Sequence, residues 1–110
     1  MDKYLLNKKV WLTQIKEYAY EGFFEKSKKL IDSKRYKLTK QDATSILNSC
    51  GIDLRYWFIK PLLKIGGTIN NRSIKFIKGI LIDKKSSEFK IFDEIPDLIH
   101  AYKYIVKNTK

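Results

Sequence analysis

Tyr56, Trp57, Lys60 and Lys64 are the side chains best spaced to do chemistry together. On a helical wheel drawn from residue 53 to 65 they share one arc with Asp53, opposite Leu54, Phe58, Leu62 and Ile65. Ammonium groups meet phosphate as point charges, and aromatic faces accept a base or a cation. The alternative for Trp57 is packing against the preceding helix, and for the two lysines a solvated face. Arg55 lies at the edge of the apolar arc, near the helix start, with a stem long enough to reach out. Only Arg35, Arg55 and Arg72 among the 23 basic residues are arginine. Bidentate reading of guanine is mainly an arginine task, so the pattern predicts electrostatic contact with a polyanion and modest base selectivity. If ~6 phosphates are neutralised, log K falls with log salt with a slope of roughly −5.

Catalytic patterns are sparse. His100 is the single histidine and Cys50 the single cysteine, which removes Ser-His-Asp and Cys-His sites, an intrachain disulfide and a cysteine zinc cluster. Asp83 with Glu88-Phe89-Lys90 has the residue types of a metal-dependent nuclease, a carboxylate pair plus a lysine, but across a short turn. Gly66-Gly67 lacks the surrounding residues of a phosphate loop. The expectation is a protein without enzymatic activity, cofactor, metal or small-molecule ligand.

Charge adds the second argument. The chain carries a formal +11, unevenly placed. Residues 34 to 92 hold thirteen Lys and Arg against four acids, net +9, whereas residues 93 to 110 are balanced and residues 1 to 33 are at +2. A basic excess confined to one region points to a polyanion met there. Codon bias toward lysine would spread the charge evenly. The 110 residues make one domain with a small core, and 44% apolar content argues against disorder. No apolar run approaches the ~18 residues of a spanning helix, and MDKYLLNKK is no signal-peptide core. A soluble, intracellular protein of cytoplasm or nucleoid, without a membrane partner, is expected.

The elements that must position these residues follow from period and punctuation. Tyr4, Trp11, Ile15, Tyr18, Ala19, Phe23, Leu30 and Ile31 keep a helical period interrupted at Gly22, predicting helices over about 3–20 and 23–33. Lys34 to Leu38 is basic and partly extended. Thr39 with Asp42 three residues on predicts a capping box, then a helix with Ala43, Ile46, Leu47 and Cys50 on one face, ended by Gly51. A second helix is predicted from Asp53 to the Gly66-Gly67 break, kinked at Pro61. Ile74, Phe76, Ile80 and Ile82 alternate with polar residues, Lys84-Lys85-Ser86-Ser87 reads as a turn, and Glu88 to Phe92 as a returning strand. In that hairpin Ile82 meets Phe89 and Ile80 meets Ile91. A final amphipathic helix carries Ile95, Leu98, Ile99, Tyr102, Ile105 and Val106, with Pro96 near its start.

Helix, tight turn, helix, then Leu63-x-x-x-Gly67-x-Ile69 and a hairpin resembles the winged helix-turn-helix superfamily over residues 23 to 92. The resemblance implies an α+β, mainly helical fold with a β-hairpin wing, flanked by an N-terminal helical extension (1–22) and the C-terminal helix (93–110). Residues 34–38 would supply its short first strand. It implies binding of double-stranded DNA by a small transcriptional regulator or replication accessory factor. Tyr56, Lys60 and Lys64 would then contact groove or phosphate, with Trp57 and Arg55 beside them. Thr39, Lys40, Gln41 and Thr44 would hold a phosphate at a helix N-terminus. Lys84 and Lys85 at the wing tip, and Arg72 with Asn70 and Asn71 beside the hairpin, would grip the backbone. The two terminal helices would build a homodimer. The other classes open are an RNA or single-strand binder, in which the aromatics stack bases, and a winged-helix module that docks on protein.

Overall fold

The computed structural model describes residues 3–51 and 53–108, with the side chains of Tyr4 and Leu5 outside that description. The described residues form seven helices and no strand: α1 (Lys3–Tyr20), α2 (Phe24–Asp32), α3 (Lys40–Ser49), α4 (Tyr56–Ile65), α5 (Asn71–Ile82), α6 (Ser87–Glu94) and α7 (Pro96–Lys107). They pack as a chain of neighbours. α1 lies on α2 and α3, α3 on α4, α4 on α7, and α7 carries α5 and α6. The result is a flat body of 52 × 28 × 18 Å with α4 near its middle.

Local signals explain most boundaries. Gly22 takes a left-handed φ of 86° between α1 and α2, and the buried Ser27 hydroxyl ties the two helices by donating to the Ile15 carbonyl at 2.9 Å. The Thr39–Asp42 capping box forms in both directions, at 3.1 and 2.9 Å. Gly51 turns the chain at φ 62°. α4 begins three residues later than Asp53, because Asp53 pairs with Arg55 and the free N–H of Tyr56 is capped by the Asp97 carboxylate of α7. The helix runs through Pro61 and stops at Gly66. Gly67 lies so close to α3 that a Cβ there would stand 2.9 Å from both Ala43 Cβ and Leu47 Cδ1. Ile15, Ile46, Leu47, Leu54, Phe58, Ile59, Leu62 and Ile77 are the solvent-free centre of one core.

The hairpin, and with it the winged α+β fold, is overturned: its two strands are helices α5 and α6. Two N-caps start them. Asn70 accepts from Ser73 N–H at 2.8 Å, and Ser86 accepts from Phe89 N–H at 3.1 Å. Of the residues assigned to one face of a strand, Ile74 and Ile80 are buried, but Phe76 is 46% and Ile82 82% exposed. The buried set is Ile74, Ile77 and Ile80, a three-residue spacing that only a helix places on one side. Residues 34–38 form no strand either; with no sheet to join, they lie as an irregular segment between α2 and α3. The C-terminal stripe is in the core, with Leu98, Ala101, Tyr102 and Ile105 buried.

Candidate nucleic-acid interface

α4 turns Phe58, Ile59 and Leu62 wholly inward. The same 3.6-residue period therefore brings Trp57, Lys60, Pro61 and Lys64 to its outer face. Trp57 is 41% exposed and meets the ring of core residue Phe58 edge-on, at 6.0 Å between ring centres. Lys60 lies over the Tyr56 ring at 5.4 Å, and Lys64 is exposed. Tyr56 itself leans away from this face onto α7, 5.4 Å from Tyr104 and 6.4 Å from His100. It is a packing residue more than a surface one.

Two hollows flank the α4 face. One, of about 410 Å3, is lined by Gly22, Phe23, Phe24, Glu25, Lys26, Arg55 and Trp57. Its wall is set by Phe24, which packs on Phe58 at 5.2 Å and lies under the Arg55 guanidinium at 5.7 Å. The other, of about 490 Å3, is lined by Lys34, Tyr36, Lys37 and Leu38 with Ile31 and Asp32 on one side, and by Pro61 and Ile65 on the other. Lys26, Lys34 and Lys37 were not among the residues expected to bind. Lys34-Arg35-x-Lys37 is visible as a basic run, but only the fold brings it beside α4. Lys34 adopts φ 52°, a left-handed conformation that glycine takes at less cost.

The electrostatics set these lysines apart. Asp32, Asp42 and Asp53, the acids between residues 30 and 60, are each already engaged: by Lys28 at 2.7 Å, Lys8 at 2.9 Å and Arg55 at 3.1 Å. Among the described residues Lys34, Lys37, Lys60 and Lys64 make no ion pair.

The other expected contacts are placed differently. At the start of α3, burial alone would raise the Asp42 carboxyl, but the Thr39 N–H and the Lys8 ammonium outweigh it and hold it below the ordinary value. A carboxylate thus occupies the position where a phosphate was expected. Thr39 is consumed by the cap, Thr44 accepts from Thr68 N–H at 3.0 Å, and the stem of Lys40 lies against Gly66; Gln41 stays exposed. Arg72 is exposed in the first turn of α5, and Lys84 and Lys85 occupy the α5–α6 turn, not a wing tip. Asp83 ends α5, accepting from Lys85 N–H, while Glu88 sits in the first turn of α6. They lie on no sheet, and among the described residues no group of three or more His, Cys, Asp or Glu could hold a metal ion. No helix of the described residues is long and apolar enough to cross a membrane.

No protein family, characterised protein or solved structure matches this chain, so the site stands on its own geometry.

Proposed function

We propose that the protein binds nucleic acid, holding the phosphodiester backbone along the outer face of α4. One observation carries the reading: exposed Lys64 and half-exposed Lys60 lie on α4, exposed Lys34 and Lys37 line a hollow whose other wall is Pro61 and Ile65 of the same helix, and the acids of that region are engaged by other partners. Uncompensated lysines in a cluster repel one another, and a polyanion relieves that repulsion while releasing its counterions. The scarcity of arginine fits backbone contact without strong base reading. The duplex form expected of a small regulator or replication factor rested on a wing that the described residues do not form, so the proposal is made for nucleic acid as a class.

Lys60→Ala/Lys64→Ala is expected to weaken binding to any labelled oligonucleotide by roughly tenfold or more at moderate salt, without sequence preference, as phosphate contacts do. Fluorescence anisotropy reads the loss, and an unchanged circular dichroism spectrum shows that the fold is kept. Affinity unchanged by the double substitution would sink the reading. For a second copy of the chain, α7 no longer offers an apolar face; exposed apolar side chains stand instead on α1 (Leu6, Val10, Tyr20) and on α5 and α6 (Phe76, Ile82, Ile91).

A further inference from the structure

The α4 face combines charge with two aromatic rings held in water. Trp57 is 41% exposed and Phe23 49% exposed, and both line the hollow of about 410 Å3 at the N-terminal end of α4. Two cations border the same space: Lys26, whose ammonium lies 5.2 Å from the Phe23 ring centre, and Arg55. Glu25 is the acid lining it. Exposed rings cost apolar hydration unless something flat covers them.

Resting on the nucleic-acid reading above, we infer that the ligand is an unpaired strand. One base stacks on Trp57 in this hollow, and the backbone runs past Lys60 and Lys64 to the second hollow at Lys34 and Lys37. From Trp57 to Ile65 the helix covers about 12 Å, so the track is short and joins both hollows. Three features favour an unpaired strand over a duplex. The bases of a duplex cover one another and offer no free face to an aromatic ring, whereas an unpaired base does. A helix that enters the major groove must stand clear of its surroundings, and α4 is instead flanked by hollows whose outer walls belong to α2 and the 34–38 segment. Lysine and aromatic side chains, the residue types found here, hold a strand without reading base edges.

The test is a titration of labelled oligo-dT, oligo-U and a mixed duplex of equal length against the wild-type chain, Trp57→Ala, Trp57→Phe and Lys60→Ala/Lys64→Ala. The inference requires an unpaired strand to bind at least about tenfold tighter than the duplex. Loss of one stacked base by Trp57→Ala should weaken strand binding by on the order of 5- to 100-fold, leave duplex binding within about twofold, and be largely reversed in Trp57→Phe. The dT and U arms separate a DNA from an RNA ligand. Duplex binding as tight as strand binding, still weakened by the double lysine substitution, overturns the unpaired strand and leaves nucleic-acid binding standing. Trp57→Ala without effect on strand binding overturns the stacking site. No salt-dependent binding to any of the three overturns both readings together.

Discussion

Gly67 and Cys50 show how single positions are constrained by what surrounds them. Gly67 is where the end of α4 meets α3, and an added methyl would collide with Ala43, Leu47 and the Leu62 carbonyl oxygen. Gly67→Ala is therefore expected to destabilise the fold by about 1–3 kcal/mol, read as a lower urea midpoint at unchanged slope. Cys50 is buried, and desolvation pushes its thiol up to about 12; burial likewise raises the Tyr102 phenol to about 12. Both groups are held neutral in the folded chain, so their contribution is complete below the unfolded values of 9.0 and 10.0 and is lost as pH rises toward 12. The thermal midpoint should fall steeply between about pH 9 and 12, and thiol reagents should label Cys50 only as fast as the protein opens. Rapid labelling at neutral pH in the folded state would contradict the burial. At this scale the α4 arc was legible in part: one wheel placed Trp57 and Lys64 outward and Leu54, Phe58 and Leu62 inward, as they are, whereas Lys60 and Ile65 are half-buried and the wholly buried Ile59 was not assigned inward. Tyr56 was less legible, because the helix it leans on lies forty residues further along the chain and only the fold brings them together.

Helices divide into those whose start and stop are written locally and those decided by competition between two periods. α1, α2, α3 and α7 follow from Gly22, the Thr39–Asp42 box, Gly51 and Pro96. For residues 68–94 two patterns coexist. Ile74, Phe76, Ile80 and Ile82 alternate, yet Ile74, Ile77 and Ile80 also repeat every three residues, and β-branched isoleucine favours the first reading. What settles it is capping: Asn70 and Ser86 each occupy an N-cap, and a twelve-residue run suits a helix better than a strand. The duplex-gripping wing fails for the same reason, since its tip lysines occupy an interhelical turn. Asn70→Ala and Ser86→Ala should each cost about 1 kcal/mol of stability, with loss of helical circular dichroism before global unfolding. Were these residues hairpin-turn positions, neither change would lower helix content.

Across the whole molecule, the partition of charge decides the functional reading. Both ends are nearly balanced and the excess lies in the middle third and beyond, as composition alone had indicated. What sequence reasoning misplaced is the part of this excess that it gave to a wing. Lys60 and Lys64 belong to α4 and Lys34 and Lys37 line a hollow beside it, whereas Arg72, Lys84 and Lys85 belong to α5 and the turn after it. The wall that α2 contributes was invisible: Phe23 and Lys26 are separated from Trp57 by about thirty residues, and no local period links them.

The salt dependence of oligonucleotide binding tests the central claim most directly. Four lysine–phosphate contacts predict a slope of log K against log salt of roughly −3, made shallower by about 1.5 to 2 units in Lys60→Ala/Lys64→Ala. A slope near zero in the wild-type chain, or one that the double substitution leaves unchanged, would contradict nucleic-acid binding at this face.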